Sequence, residues 1–274
     1  MKKIYLAVLI LTLCGCQSTQ DQKSKVTHIT LTTPQLPTTL EDAVASSFRQ
    51  EDNRKRDEFR HPISTLRFFG VTPNMSLLEI SPGNGWYTEI LAPFLKSSGH
   101  YLGAYPPGGD HHDDKKMATA VMEMVTRVSF DPSAQTEIVP AGSVDMVLTF
   151  RNVHNWMQKG AAENAFKLFF NALKPGGILG VVEHRANPKS KHDLKASSGY
   201  VRESEVVQFA KKAGFKLLAK SEINANPKDT KNYPEGVWTL PPTLKLGDKD
   251  REKYIAIGES DRMTLKFIKP DSAK

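Results

Sequence analysis

The sequence predicts an α/β fold: a doubly wound, mostly parallel sheet of seven strands with helices on both faces. Three observations carry it. After Pro73, short apolar runs alternate with helical stretches, the pattern of strands covered on both sides by crossover helices. Two of those helical stretches close on Lys174-Pro175-Gly176-Gly177 and on Gly214, residues that stop a helix. Finally, Gly83-Asn84-Gly85 follows the first strand and opens a helix, a turn tight enough to bring backbone N–H groups close to a ligand.

The chain begins with a segment foreign to that fold. Lys2 and Lys3, an apolar run from Ile4 to Leu13, and then Gly15-Cys16 have the three-part layout of a secretory signal. Leu13-Cys14-Gly15-Cys16 resembles a bacterial lipobox, which implies that residues 1–15 are removed and that Cys16 becomes a lipidated first residue. The alternative is an ordinary signal with a chance Cys. Gln17 after the Cys, rather than Asp, implies by the same resemblance the outer membrane, facing the periplasm. On that reading the mature chain has no free thiol, which excludes disulfides and thiol catalysis. It carries 35 basic against 30 acidic residues, a formal charge of +5. That excess is spread out without a dense block, so no nucleic-acid partner is expected.

Residues 16–37 are rich in Ser, Thr, Gln and Lys and read as a flexible tether. The folded domain is expected over 38–274. Thr38-Thr39-Leu40-Glu41 has the form of a capping box, followed by Leu40, Ala43, Val44 and Phe48 at helical spacing. The charged run "RQEDNRKRDEFRHP" reads as an exposed helix lying across the domain, and Ser64 to Phe69 as a second short helix ended by Gly70. Together they form an N-terminal helical cap.

Strands are expected at Ser76 to Ile80, Tyr101 to Ala104, Arg127 to Phe130, Val144 to Phe150, Ile178 to Glu183, Phe215 to Glu222 and Met263 to Ile268. The intervening helices are Trp86 to Leu95, bent at Pro93, then Lys115 to Val125, Ala161 to Leu173 and Glu203 to Ala213. Ligands of such a sheet bind at the carboxyl ends of its strands, near the point where strand order reverses. Residues 224–254 interrupt the last two strands at a length that usually signals function. Tyr233, Trp238 and paired prolines suggest an ordered lid over the pocket.

The Gly turn alone is weakly informative. A dinucleotide fingerprint wants a third small residue three positions on and an acid about 20 residues later. Thr88 and Tyr105 stand there instead, against a nicotinamide cofactor. The whole segment "LLEISPGNGWYTEIL" resembles the first motif of class I S-adenosylmethionine-dependent methyltransferases, with Glu79 on the strand and Gly83 and Gly85 in the turn. "GSVDMVLTFRNVHNW" resembles that family's fourth strand, "ALKPGGILGVVEH" its fifth, and "RMTLKFIKP" its last, covering about residues 64–270. More narrowly, the chain is similar to a group of exported predicted methyltransferases sharing "FRNVHNW" and "NYPEGVWTLPP".

The resemblance implies a Rossmann-like methyltransferase fold and S-adenosylmethionine as cofactor, held by Glu79, Gly83, Gly85 and, at the adenine, Asp131. Glu79 would favour the cationic end of the cofactor; alternatively it is a buried acid capping local N–H groups. The departure lies at the second strand, where the family ends in a ribose-binding acid. Here Tyr105 and Pro106 occupy the place, leaving Asp110, Asp113 or Asp114 as replacements. In-line methyl transfer needs positioning more than covalent help, so a pocket that aligns cofactor and acceptor suffices.

Arg151, Asn152, His154, Asn155 and Trp156 end the fourth strand, and Glu183, His184 and Arg185 the fifth. Singly, each His is as readily a core residue. Together they read as an active site in which His154 or His184 is the general base, assisted by Glu183, while Arg151 and Arg185 hold an anionic group. Trp86 and Trp156 would wall the pocket or simply pack. The loop with His111, His112, Asp113 and Asp114 offers metal-ligand types, but adjacent ligands seldom converge on one ion without distant partners, for which His154 or His184 are the candidates, and no metal is expected.

The function expected is a lipid-anchored methyltransferase acting on a small-molecule acceptor. A non-catalytic lipoprotein that captures a nucleoside-like ligand is the alternative, and metal-assisted hydrolysis at the His-rich edge a third.

Overall fold

A computed structural model describes residues 35–108 and 117–271. The signal, Cys16, most of the tether and Asp110 through Asp114 lie outside the described residues.

The N-terminal cap is four short helices: α1 (Leu40–Ala45), α2 (Glu51–Arg54), α3 (Asp57–Arg60) and α4 (Pro62–Phe69). The capping box is shifted by one residue from its expected place. Thr39 accepts from the Asp42 N–H at 3.0 Å, and Asp42 accepts from the Thr39 N–H at 3.2 Å. Asp42 therefore takes the part expected of Glu41, because helix α1 starts at Leu40. Pro62 opens α4, where its missing N–H costs nothing, and Gly70 ends it at φ 86°.

The continuous exposed helix expected over the charged run is corrected: it is broken into α2 and α3, and it is not all exposed. Arg49 and Arg60 are buried. Arg49 donates to both carboxylate oxygens of Asp57 at 2.6 and 2.7 Å, while Arg49 and Arg60 lie 5.1 and 4.7 Å from the Trp86 ring. Arginine can be buried here because each guanidinium has a carboxylate or an aromatic face beside it.

The sheet contains β1 (Ser76–Ile80), β2 (His100–Tyr105), β3 (Thr126–Ser129), β4 (Val144–Phe150), β5 (Leu173–His184), β6 (Lys216–Ser221) and β7 (Arg262–Ile268). Its order is β3-β2-β1-β4-β5-β7-β6. β7 runs antiparallel to both neighbours, and the remaining pairs are parallel. The Lys-Pro-Gly-Gly stretch lies within β5 instead of before it, with a register shift opposite Val144/Met146.

Helices α5 (Thr88–Leu95), α6 (Thr119–Met122), α7 (Val153–Gln158), α8 (Ala162–Ala172), α9 (Glu203–Ala213) and α10 (Arg251–Ile257) complete the fold. Of the helix expected over Lys115 to Val125, residues 117–125 are described and only Thr119–Met122 is helical. Two apolar layers sandwich the sheet. Leu78, Ile80 and Val147 pack with Phe166, Phe169, Val206 and Ala210 from α8 and α9. On the opposite face, Leu77, Met146 and Leu148 pack with Leu66, Phe69, Ile90 and Leu91 from α4 and α5. Neighbouring residues of β1 thus serve opposite faces, as the two-residue period of a strand requires. Among the described residues no helix is long and apolar enough to cross a membrane.

Candidate functional site

Strand order reverses between β1 and β4, and beyond their carboxyl ends lies a cavity of about 770 Å³. Its walls come from the β1 turn (Glu79, Ser81, Pro82, Gly83, Asn84), the tips of β4 and β5, the N-terminal cap, and residues 237–243. Val237 is pinned by donating its N–H to the Ser198 carbonyl at 2.9 Å. In this way part of the 224–254 segment lies over the strand tips.

Glu79 is buried and accepts from the Tyr101 hydroxyl at 2.6 Å and from Thr88 at 3.4 Å. Burial pushes its carboxyl up to about 7, against the opposing pull of those hydroxyls and of Arg151. Gly83, at φ 59°, lines the cavity and would have open space around a Cβ. Gly85, at φ 76°, does not line it: a Cβ there would meet the Met117 Cε at 2.5 Å. The Met117 side chain therefore packs directly against Gly85.

The second-strand departure has a physical form. Tyr105 folds over Gly103, whose notional Cβ would lie 2.7 Å from its ring, and the Arg127 guanidinium sits 3.7 Å from the ring centroid. Asp131 accepts from the Ser133 N–H at 2.8 Å in the turn after β3. It is apart from the residues that line the cavity.

The tips of β4 and β5 bring His154, Glu183 and His184 together. Glu183 is fully buried and accepts from the N–H groups of Val153 at 2.6 Å, His154 at 3.4 Å and His184 at 2.8 Å. Its Oε1 also lies 3.1 Å from His154 Nδ1. His184 Nδ1 is 2.5 Å from the Ser260 hydroxyl, and the two imidazole centroids are 5.4 Å apart. Both rings line the cavity. Burial depresses the His184 pKa well below its usual value, and His154, Arg151, Arg262 and Arg60 push it further down.

Arg151 lines the cavity in a left-handed conformation, φ 62°, and burial lowers its pKa to about 10. Arg185 is not in the cavity. It donates to both oxygens of Glu222 at 2.7 and 2.6 Å and to both oxygens of Asp261 at 3.0 and 2.9 Å. It cannot hold the anion expected of it, because two carboxylates already occupy its guanidinium. Trp86 lines the cavity and donates its indole N–H to the Asn53 carbonyl at 2.8 Å. Trp156 packs instead between Phe130 and Phe169 in the core.

Residues that the sequence reading passed over complete the site. Glu259 is buried and pairs with Arg56 at 2.7 Å, Arg60 at 3.2 Å and Arg262 at 3.1 Å. Burial alone would raise its pKa, but Arg60, Arg262, Arg56 and Arg151 outweigh burial and hold it at about 2. The antiparallel course of β7 explains the meeting: Arg262 pairs with His184 in register, so residues 259–262 enter β7 at the ligand-binding edge. A signal for the cap was present. Arg49, Asn53, Arg56 and Arg60 recur at helical spacing, the pattern of one face turned inward. Ser81, φ 50°, also lines the cavity.

No family model matches the chain, and no curated protein matches it. Solved structures do. A SAM-dependent methyltransferase from Aquifex aeolicus aligns with a TM-score of 0.54 at 14% identity, over 81% of this chain and all of that one. The [4+2]-cyclase SpnF aligns with 0.55 at 16% identity, over 85% of this chain and 92% of that one. A protein from Pyrococcus horikoshii aligns with 0.51 at 13% identity, over 82% and 94%. The strand order, the antiparallel seventh strand and these alignments show that the chain has the seven-stranded, Rossmann-like fold of class I methyltransferases.

Proposed function

We propose that this chain is an S-adenosylmethionine-dependent methyltransferase acting on a small-molecule acceptor. The observation that supports it is one cavity with Glu79 and Gly83 on one wall and His154 and His184 on another. When bound, the cofactor supplies a sulfonium-borne methyl group. Its amino-acid end suits the Glu79 side: a carboxylate short of a counter-charge gains from a cationic neighbour, and Gly83 leaves space above the turn. At the end of β2 Tyr105 stands where the family has its ribose-binding acid, and the candidate replacements Asp110, Asp113 and Asp114 lie outside the described residues.

On this reading His154 accepts the acceptor's proton at Nε2. Glu183 fixes its ring through Nδ1, the arrangement that leaves the distal nitrogen available as a base. Asn152 braces the cofactor turn by donating to the Ile80 carbonyl at 3.0 Å and the Ser81 carbonyl at 3.4 Å. The signal-like segment and Cys16 support placing the protein in the cell envelope, lipid-anchored to the outer membrane and facing the periplasm. Persistence of a Cys16→Ser variant in membrane fractions would count against that anchor.

A second reading is favoured by Tyr105 standing in place of the family's ribose-binding acid. A lipoprotein that binds a small ligand without turnover needs the cavity and not the adenosine subsite. The fold is not confined to methyl transfer, since the [4+2]-cyclase SpnF shares it.

Calorimetric titration of the full-length protein with S-adenosylmethionine and S-adenosylhomocysteine separates the two. Micromolar binding that Gly83→Asn weakens supports methyl transfer, because Asn tolerates the left-handed backbone while its side chain enters the cavity. Absence of binding at millimolar ligand leaves the second reading.

A further inference from the structure

Four guanidiniums converge at the cap side of the cavity, and one carboxylate answers them. Arg56, Arg60 and Arg151 line the space, with Arg262 behind them. Arg262 is satisfied by Glu259, by the Ser260 carbonyl and by the Phe59 carbonyl. Arg60 is 2% exposed and its Nη1 has no hydrogen-bond partner. The Arg151 side chain makes no hydrogen bond or ion pair with another described residue. Guanidinium N–H donors left without an acceptor are costly, and Arg60, whose Nε alone meets Glu259, and Arg151 are held at the wall of one cavity.

The same charges argue against a cation. His154, Glu183 and His184 offer ligand atoms within 4.8 Å of one another, a spacing that suits a metal ion. Yet both Glu183 oxygens already accept N–H groups, and Arg151, Arg262 and Arg60 act on His184 from alongside. A site with that field attracts negative charge.

We propose that the cavity takes an anionic small molecule, seating a carboxylate or a phosphate group between Arg56, Arg60 and Arg151, distinct from the carboxylate of an adenosyl amino acid. Paired N–H donors in a planar fork match either group. Trp86, flanked by Arg49 and Arg60, gives the ligand's body an aromatic wall. The inference rests on the cavity and not on methyl transfer, so it stands or falls separately from that reading.

The test titrates the full-length protein with phenyl phosphate and with benzoate, and repeats both with Arg151→Gln and Arg60→Gln. Binding of either probe tighter than about 1 mM, weakened about tenfold or more in Arg151→Gln, supports the proposal. Which probe binds tells phosphate from carboxylate. Arg151 has no ion pair to lose, so its variant remains informative even if Arg60→Gln, which loses Glu259, fails to fold. Binding of neither probe to the wild type at about 20 mM, or equal binding by Arg151→Gln, overturns it. So does displacement of the probe by S-adenosylhomocysteine but not by methylthioadenosine, which would give the arginines to the cofactor's own carboxylate.

Discussion

Glu183 and His154 are joined twice, through Nδ1 to Oε1 at 3.1 Å and through the His154 backbone N–H to Oε2 at 3.4 Å. One buried carboxylate thus sets both the ring and the start of α7 that carries it. A carboxylate only accepts, so this contact calls for the proton on Nδ1 and leaves Nε2 unprotonated in the neutral ring.

Glu183→Gln should break this arrangement even though it preserves shape. Both Glu183 oxygens accept N–H donors, so an amide NH2 must face one of them. The expected cost is about 2 kcal/mol or more, read by urea unfolding. Long-range proton–nitrogen spectra of histidine-labelled protein should show the Nδ1–H tautomer of His154 in the wild type and its loss in the variant. A wild-type spectrum with the proton on Nε2 would remove His154 as the base.

Glu79 makes stability fall as pH rises. Its carboxyl is raised from 4.5 to about 7 in the folded protein, so between those values the folded state binds more protons than the unfolded one. The contribution is fully present below pH 4.5 and lost as pH passes 7, amounting to about 3 kcal/mol. Glu79→Gln should flatten this part of the profile. Unfolding midpoints of the variant and the wild type that run parallel from pH 5 to 8 would show that Glu79 titrates normally.

Glu259 acts in the opposite sense and in a different window. Its carboxyl is lowered from 4.5 to about 2, so its contribution is present above pH 4.5 and lost as pH falls through 2. Replacing it by Gln at neutral pH leaves Arg56, Arg60 and Arg262 without their shared carboxylate and should cost about 3–5 kcal/mol. A loss below about 1 kcal/mol, the scale of a surface pair, would mean that the arginines rearrange into water.

The parts of the site that follow from local pattern were legible in the sequence. Apolar runs and their alternation reveal the sheet, and Gly83 after β1 marks the edge where the cavity lies, because strand and turn preferences act over a few residues. Arg56, Arg60 and Glu259 were not legible as a cluster. A run such as "RKRDEFR" has the composition of a solvated face, and only the return of β7 beside β5 brings Glu259 about 200 residues along the chain to pair with it. Arg185 failed for a related reason. Its place after β5 is the ligand edge, but Glu222 and Asp261, supplied by later segments, turn it aside.

Strain at the strand tips is the last feature open to test. Ser81 at φ 50° and Arg151 at φ 62° end adjacent parallel strands, both in a region that costs a side-chain-bearing residue about 1–2 kcal/mol. Among the described residues no hydrogen bond to the Ser81 side chain offsets this cost, and Asn152 braces its carbonyl instead. Ser81→Gly relieves the strain and loses about 0.5–1 kcal/mol to the greater freedom of the unfolded chain, so it should raise stability by up to about 1 kcal/mol. Arg151→Gly should raise it further, since it also removes an unpaired, cavity-facing guanidinium, while abolishing anion binding. Stability gained where binding is lost is the signature of strain retained for function. A fall in the urea midpoint of both variants at unchanged slope would show that these two side chains hold the tips together instead.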